Sequence, residues 1–330
     1  MNVYLIFVAI ILTFFAFGSI IGSFLNVVAL RGLSGESIVL PPSKCPKCDN
    51  KLKPWHNIPI LSYLFLRGKC AFCKEPISIQ YPIVEAITGL IAIAIFFKYQ
   101  LMITGLFAFI LLCILLVMSV TDLREKVICT SHAWALILIG LIHNGYRTFY
   151  LIDKLGEKIN IDFPFIWSLP ITQSIVAAIT GAAIMELLAS FGHLFVKRRA
   201  FGLGDTFIAA GLGAFFGFKG LLISLAFSIA IQVGLFIPKF FKKLSNQKDY
   251  QTIIALTLFI FVAAGVSYVT HYVYTEEYVQ FIMLAILAVI GVWACIRVIM
   301  GLKKEGNEGI TILPFGPAMA IAAAITMFFF

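Results

Sequence analysis

The chain has 330 residues, 61% of them hydrophobic and 12% charged, with a mean hydropathy of +1.00. Apolar runs of about 20 residues match the thickness of a bilayer core, so the composition excludes a soluble globular domain and indicates an all-α, polytopic membrane protein. The formal net charge of +9 falls in loops on alternate sides of those runs, which accounts for it as topology rather than as a polyanion site, and no nucleic acid is expected as a partner.

Hydropathy predicts spans near 3–30, 83–98, 101–120, 128–148, 171–196, 206–218, 221–237, 251–271, 279–300 and 310–329. The run 206–218 is short for a crossing, so the expected number is about 8 to 10. Basic loops at 31–82, Arg124 to Lys126, Lys197 to Arg199, Lys239 to Lys248 and Lys303-Lys304 share one side, which the positive-inside rule makes cytoplasmic. The amino terminus, the loop 149–170 and Glu276-Glu277 then face outward. No basic residue precedes the first run, which therefore reads as a retained span rather than a cleaved signal. At its cytoplasmic end, Gly22-Ser23-Phe24-Leu25-Asn26-Val27-Val28 offers small residues for close helix contact and an amide able to bond across an interface.

Residues 31–82 form the sizeable polar segment. Two Cys-x-x-Cys pairs, Cys45/Cys48 and Cys70/Cys73, lie 21 residues apart, and two such knuckles can close a tetrahedral thiolate site on Zn²⁺. Disulfides are the poorer explanation in a cytoplasmic loop, and a redox dithiol does not need the second pair. The metal would fold a segment too small for a core of its own. Apolar residues around Ile58 to Leu66 can rest on the membrane surface, and His56 reads as a surface histidine. Glu85, just inside the second span, is either a functional acid or a side chain reaching interfacial water.

Asp122 closes the third span, and Asp205 follows Gly202-Leu203-Gly204 at the start of another, at the same predicted membrane face. Each has a plainer reading. Asp205 in a glycine turn is an ordinary helix cap, and Asp122 could belong to an interfacial charge cluster with Arg124, Glu125 and Lys126. Were the two to meet, they could share a proton and activate water against an amide carbonyl, the device of aspartic proteases. Glu186, buried in an apolar run, serves either a polar pathway or a helix contact. Cys113, Cys129 and Cys295 read as core thiols, and His132, His143, His193 and His271 lack metal spacing. Pro314-Phe315-Gly316-Pro317 would fix a helix entrance. The expected organisation is a first span at 1–30, a cytoplasmic zinc-binding segment at 31–82 and a transmembrane domain at 83–330.

The combination of Gly22 to Val28, the two cysteine pairs around Asn57-Ile58-Pro59 and Ser62-Tyr63, Tyr81-Pro82 with Glu85, Asp122, Gly202-x-Gly204-Asp205 and Pro314 to Pro317 resembles type IV prepilin leader peptidases over most of the chain. The resemblance implies a bacterial inner-membrane aspartic peptidase that removes the leader of type IV prepilins or type II secretion pseudopilins at the cytoplasmic face. Its catalytic aspartates map onto Asp122 and Asp205. It also implies methylation of the new amino terminus, with S-adenosylmethionine as donor, associated with the cysteine-containing segment. Two departures stand near the acids. The family commonly continues to Ile-Pro-Asp where this chain has Ile128-Cys129-Thr130, and places Lys two residues after its Gly-Asp, where this chain has Phe207. Competing readings are a transporter or membrane assembly factor whose zinc knuckle docks a partner, and a family member without peptidase activity. A presenilin-like protease would share Gly-x-Gly-Asp but not the paired cysteines.

Overall fold

A computed structural model describes residues 3–155 (except 41 and 46), 163–196, 202–246, 250–255 and 314–329, with a few positions between 257 and 293. The expected runs 251–271 and 279–300, the basic cluster Lys197 to Arg199, Glu276-Glu277, Cys295, His271 and Lys303-Lys304 fall wholly or mostly outside the described residues. The helices are α1 Val3–Ser34, α2 Leu61–Phe65, α3 Gln80–Tyr99, α4 Ile103–Glu125, α5 Thr130–Leu155, α6 Phe163–Ser168, α7 Pro170–Val196, α8 Leu203–Asn246 and α9 Gly316–Phe329. Among the described residues, six helices are long and apolar enough to cross a membrane, and α9 is shorter. The chain divides into two compact units, of which the first (Met1–Leu187, Phe201–Ile229 and Pro314–Phe330) holds both cysteine pairs and both aspartates. In the second, the stretch 250–255 is helical and buries Thr252 and Ala255.

Lipid supplies no hydrophobic drive between membrane helices, so association relies on close packing of small residues. Helix α1 uses Gly18 and Gly22, four residues apart. A methyl group at Gly18 would lie 2.8 Å from the Gly89 Cα, and one at Gly22 would lie 2.8 Å from the Glu85 Cα. Helix α3 therefore seats directly on α1. Helix α4 is the central element, touching α1, α3, α5 and α9, with Leu111, Leu115 and Met118 fully buried. Near its end Val117 and Val120 join Ala29 and Val84 in an apolar cluster that closes the α1, α3, α4 junction. Large apolar side chains such as Phe17, Phe24, Leu90, Leu106 and Ile142 are left exposed, as faces turned to lipid must be.

The break that hydropathy places between 218 and 221 falls at Gly217, where φ is +70°. A Cβ is disfavoured there, and glycine allows the helix to be interrupted. Gly181 of α7 faces both the Ala209 carbonyl and the Leu221 side chain. Twelve residues of continuous helix would separate these by about 18 Å, so the chain doubles back at the break. The carbonyls it frees are covered: Asn144 Nδ2 donates to Ala214 O at 2.7 Å and to Phe215 O at 3.0 Å, and the Ser174 hydroxyl donates to the same Ala214 oxygen. Irregular backbone at membrane depth requires such partners.

Helix α9 is held at both ends. Lys98 Nζ, in the last turn of α3, donates to the Met327 and Phe328 carbonyls at 2.6 and 3.0 Å, while Gly316 at the other end bonds to α4. Its inner face, Ala318, Met319, Ala322 and Ala323, is fully buried.

Candidate functional site

The sequence segment between α1 and α3 builds two matching knuckles. Lys44 bridges Lys51 around the first pair and Lys69 bridges Pro76 around the second. In each, the residue after the second cysteine, Asp49 or Lys74, has a left-handed backbone (φ 54° and 62°) and returns its N–H to the carbonyl of the first cysteine. This turn points both sulfurs of a pair to one side. All four Sγ atoms of Cys45, Cys48, Cys70 and Cys73 lie within 4.8 Å of one another, and Cys45 and Cys73 are 3.8 Å apart. A tetrahedron with Zn–S bonds of about 2.3 Å has edges of about 3.8 Å, so the donor set fits a four-thiolate zinc ion. Backbone N–H groups of Cys73 and Phe72 lower the Cys70 thiol to about 6, and the Asn50 N–H is the chief cause of a lowered Cys48. Cys73 moves up to about 12, because burial and the neighbouring thiols outweigh the Glu75 N–H that acts the other way. His56, expected on the surface, is half-buried, with its ring edge-on to Trp55 and to Phe72 of the second knuckle.

The segment is tied to the helices by a buried acid. Glu85 Oε2 accepts the Ile60 N–H at 2.8 Å and is also bonded by the Ser23 side chain. Of the two readings of Glu85, a functional acid or a side chain reaching interfacial water, the second does not hold, since Glu85 is 7% exposed and bonded to Ile60, whose φ is 62°. Beside that clamp, Trp55, Leu61, Leu64 and Phe65 are exposed, with Lys53 over the Trp55 ring. Asn26 does bond across the helix interface, donating to Tyr81 O at 3.3 Å. Gln80 reaches Asn26 Oδ1 at 3.5 Å and accepts from Arg124 Nε at 2.7 Å. The end of α4 is thereby joined to α1 and α3 two residues beyond Asp122.

Asp122 lies in the last turn of α4, which stops where Lys126 turns left-handed and caps back onto the Asp122 carbonyl. Asp205 lies in the first turn of α8. Both are buried, at 6% and 9% exposure. Asp205 is the third helical residue rather than the N-cap of the plain reading, and its Oδ2 reaches back to accept the N–H of Gly202, the residue before the helix, at 3.0 Å. Asp122 Oδ2 accepts the Gly316 N–H at 2.9 Å. Gly204 brings the two acid-bearing elements together, because a methyl group there would lie 2.6 Å from Ile128 on the connection that follows Asp122. The two carboxyls are near enough for their charges to interact.

The departures from the family pattern also sit here. Cys129 Sγ is 3.7 Å from Gly32 O, tying the start of α5 to the end of α1, so this thiol is only half-buried rather than a core group. Phe207 packs against Trp134 at 5.7 Å between ring centres, and the Thr206 hydroxyl is buried without a hydrogen-bond partner. Other candidates stay apart. Cys113 is buried in α4, His143 stacks on Phe215 at 4.4 Å, and Glu186 is on an exposed face of α7. Sequence reading missed the Ile60 and Gly316 amides, Gln80 and Arg124. The only available signal was the pair of prolines around Gly316, read as a helix entrance.

Comparison with known proteins matches residues 16–99 to the bacterial peptidase A24 N-terminal domain and residues 109–237 to the type IV leader peptidase family. The first match covers the cysteines and Glu85, the second both aspartates. A prepilin leader peptidase/N-methyltransferase of Myxococcus xanthus is 32% identical over 65% of this chain and 58% of its own length, so the chain spans less than two thirds of that relative. One from Neisseria gonorrhoeae is 30% identical over 62% of this chain and 73% of the relative. One from Pseudomonas aeruginosa is 26% identical over 83% and 94%. No solved structure matches the chain.

Proposed function

Because the chain belongs to the type IV leader peptidase family, we propose that it cleaves the leader peptide of type IV prepilins or pseudopilins at the cytoplasmic face of a bacterial inner membrane, with Asp122 and Asp205 as the catalytic pair. The observation that carries this reading is that two buried acids stand at separate helix ends whose elements touch at Gly204 and Ile128, each acid with Oδ2 accepting a backbone N–H.

Oδ1 of each carboxyl is then the atom left to share a proton and hold water. The ionised aspartate takes a proton from water as its oxygen bonds to the scissile carbonyl carbon, and the protonated one gives its proton to the carbonyl oxygen. Collapse of the tetrahedral intermediate breaks the C–N bond and returns a proton to the leaving amine. The pair exchanges roles between the steps, and its titration belongs to both residues together.

Cys45, Cys48, Cys70 and Cys73 would hold Zn²⁺ in a structural role, since a closed four-thiolate shell has no position for a reacting water. The parts of the chain are the first span at 1–30, this cytoplasmic segment at 31–82 and the peptidase domain at 83–330. The same protein methylates the new amino terminus, with S-adenosylmethionine as the donor.

The test is leader cleavage of a co-expressed prepilin in isolated membranes, comparing wild type with Asp122→Asn and Asp205→Asn at equal protein levels. Each substitution should abolish cleavage without preventing insertion. Cleavage by either variant removes the paired-acid mechanism, and a wild type inactive on several prepilins removes the peptidase reading.

A further inference from the structure

We infer that Gly316 is a positioning residue for peptide cleavage: its backbone N–H, presented at the start of α9, sets the plane of the Asp122 carboxyl. The inference rests on the reading of Asp122 as one of the catalytic pair.

The bond joins residues 194 apart in the chain, at 2.9 Å, and is buried. The first N–H groups of a helix have no partner inside it. Here Phe315 is the residue before the helix, its carbonyl accepting the Met319 N–H at 3.1 Å, and Gly316 is the first helical residue. Pro317 carries no N–H, so Gly316 supplies the donor of the first two positions, and Asp122 is its acceptor. Space restricts the position as tightly as hydrogen bonding does. A Cβ on Gly316 would come within 2.7 Å of Asp122 Oδ2 and 3.4 Å of its Cγ, so any side chain displaces the carboxyl. Helix α9 cannot slide to relieve this, because Lys98 holds its far end and its inner face is fully buried.

A plainer account makes Asp122 only a cap for α9. The two accounts separate experimentally, since an asparagine at 122 can still accept the Gly316 N–H but cannot accept a proton from water. Gly316→Ala keeps the N–H and adds the methyl group; Gly316→Pro removes the N–H with a residue suited to the first helical position. Both are compared with wild type, Asp122→Asn and Ile321→Ala, the last on the half-exposed outer face of α9. The measurement is kcat and KM for prepilin cleavage per inserted protein, with the solvent deuterium effect on kcat.

A displacement of about 1 Å at a reacting group costs about 100-fold. Both Gly316 variants should therefore lose about that much in kcat, with KM within about twofold and a larger isotope effect, while Ile321→Ala matches wild type. A smaller inserted fraction would leave the isotope effect unchanged. Wild-type kcat in the Gly316 variants, or a loss without change in the isotope effect, overturns the inference while Asp122→Asn remains inactive. Cleavage by Asp122→Asn overturns it together with the catalytic pair. Should neither Gly316 variant insert, hydrogen exchange of the Gly316 amide in wild type against Asp122→Ala reads the bond directly, slower exchange in wild type being expected and equal rates overturning the inference.

Discussion

Glu85 is an acid set inside a membrane helix that accepts the Ile60 N–H and is also bonded by the Ser23 side chain. A buried donor left without an acceptor costs about 1–3 kcal/mol. Glu85→Ala should therefore lower stability by about that amount in a detergent melt, and loosen the connection around Ile60. Glu85→Gln, whose amide oxygen can still accept the Ile60 N–H, should lose less than half as much. Equal losses from the two substitutions would mean that the charge, rather than the bond, is what the site uses. Asp122, Asp205 and Glu85 were conspicuous because an acid beside an apolar run needs a reason. Their partners were invisible because the Gly202, Ile60 and Gly316 donors are backbone amides, which every residue except proline carries.

The cysteine segment is the element whose pattern was most legible, since Cys-x-x-Cys repeated at a suitable separation leaves few alternatives to a shared ion. Its attachment was less so. His56 read as a surface histidine because four cysteines already complete a metal shell, yet it is half-buried and its ring packs edge-on against Phe72 of the second knuckle. With so little apolar core, the segment should depend on its metal. Purified protein is expected to carry one Zn²⁺ per chain. Chelation, or Cys45→Ser with Cys70→Ser, should expose 35–79 to limited proteolysis while leaving the helices resistant. A metal-free protein equally resistant there would show that the Glu85 and Asn26 contacts suffice to fold it. The Cys70 thiol, lowered to about 6, favours a ligand already deprotonated at neutral pH, Cys48 is shifted in the same direction, and the raised Cys73 must release its proton as metal binds.

Across the described residues, hydropathy located the long helices but could not say how the chain passes from 203 to 246, because a run of 13 apolar residues at 206–218 suits either half of a long helix or a short one that returns. Gly217 decides this, and it relies on residues from two other helices that carry no motif. Asn144 covers the carbonyls of Ala214 and Phe215, and Ser174 covers Ala214 a second time. The arrangement is redundant at one carbonyl and not at the other, which makes the substitutions non-additive in a defined direction. Ser174→Ala leaves Ala214 bonded to Asn144 and should cost about 0.5 kcal/mol. Asn144→Ala strips Phe215 but leaves Ala214 bonded to Ser174, and should cost about 1–2 kcal/mol, within the range for polar contacts between membrane helices. Only the double substitution uncovers both carbonyls, so its loss should exceed the sum by about 0.5–1 kcal/mol in reversible unfolding from mixed micelles. Strict additivity would mean that water or a local rewinding of the helix satisfies Ala214 once either donor is gone. In that case the reversal at Gly217 is held by the glycine backbone and the α7 packing at Gly181, rather than by its hydrogen bonds.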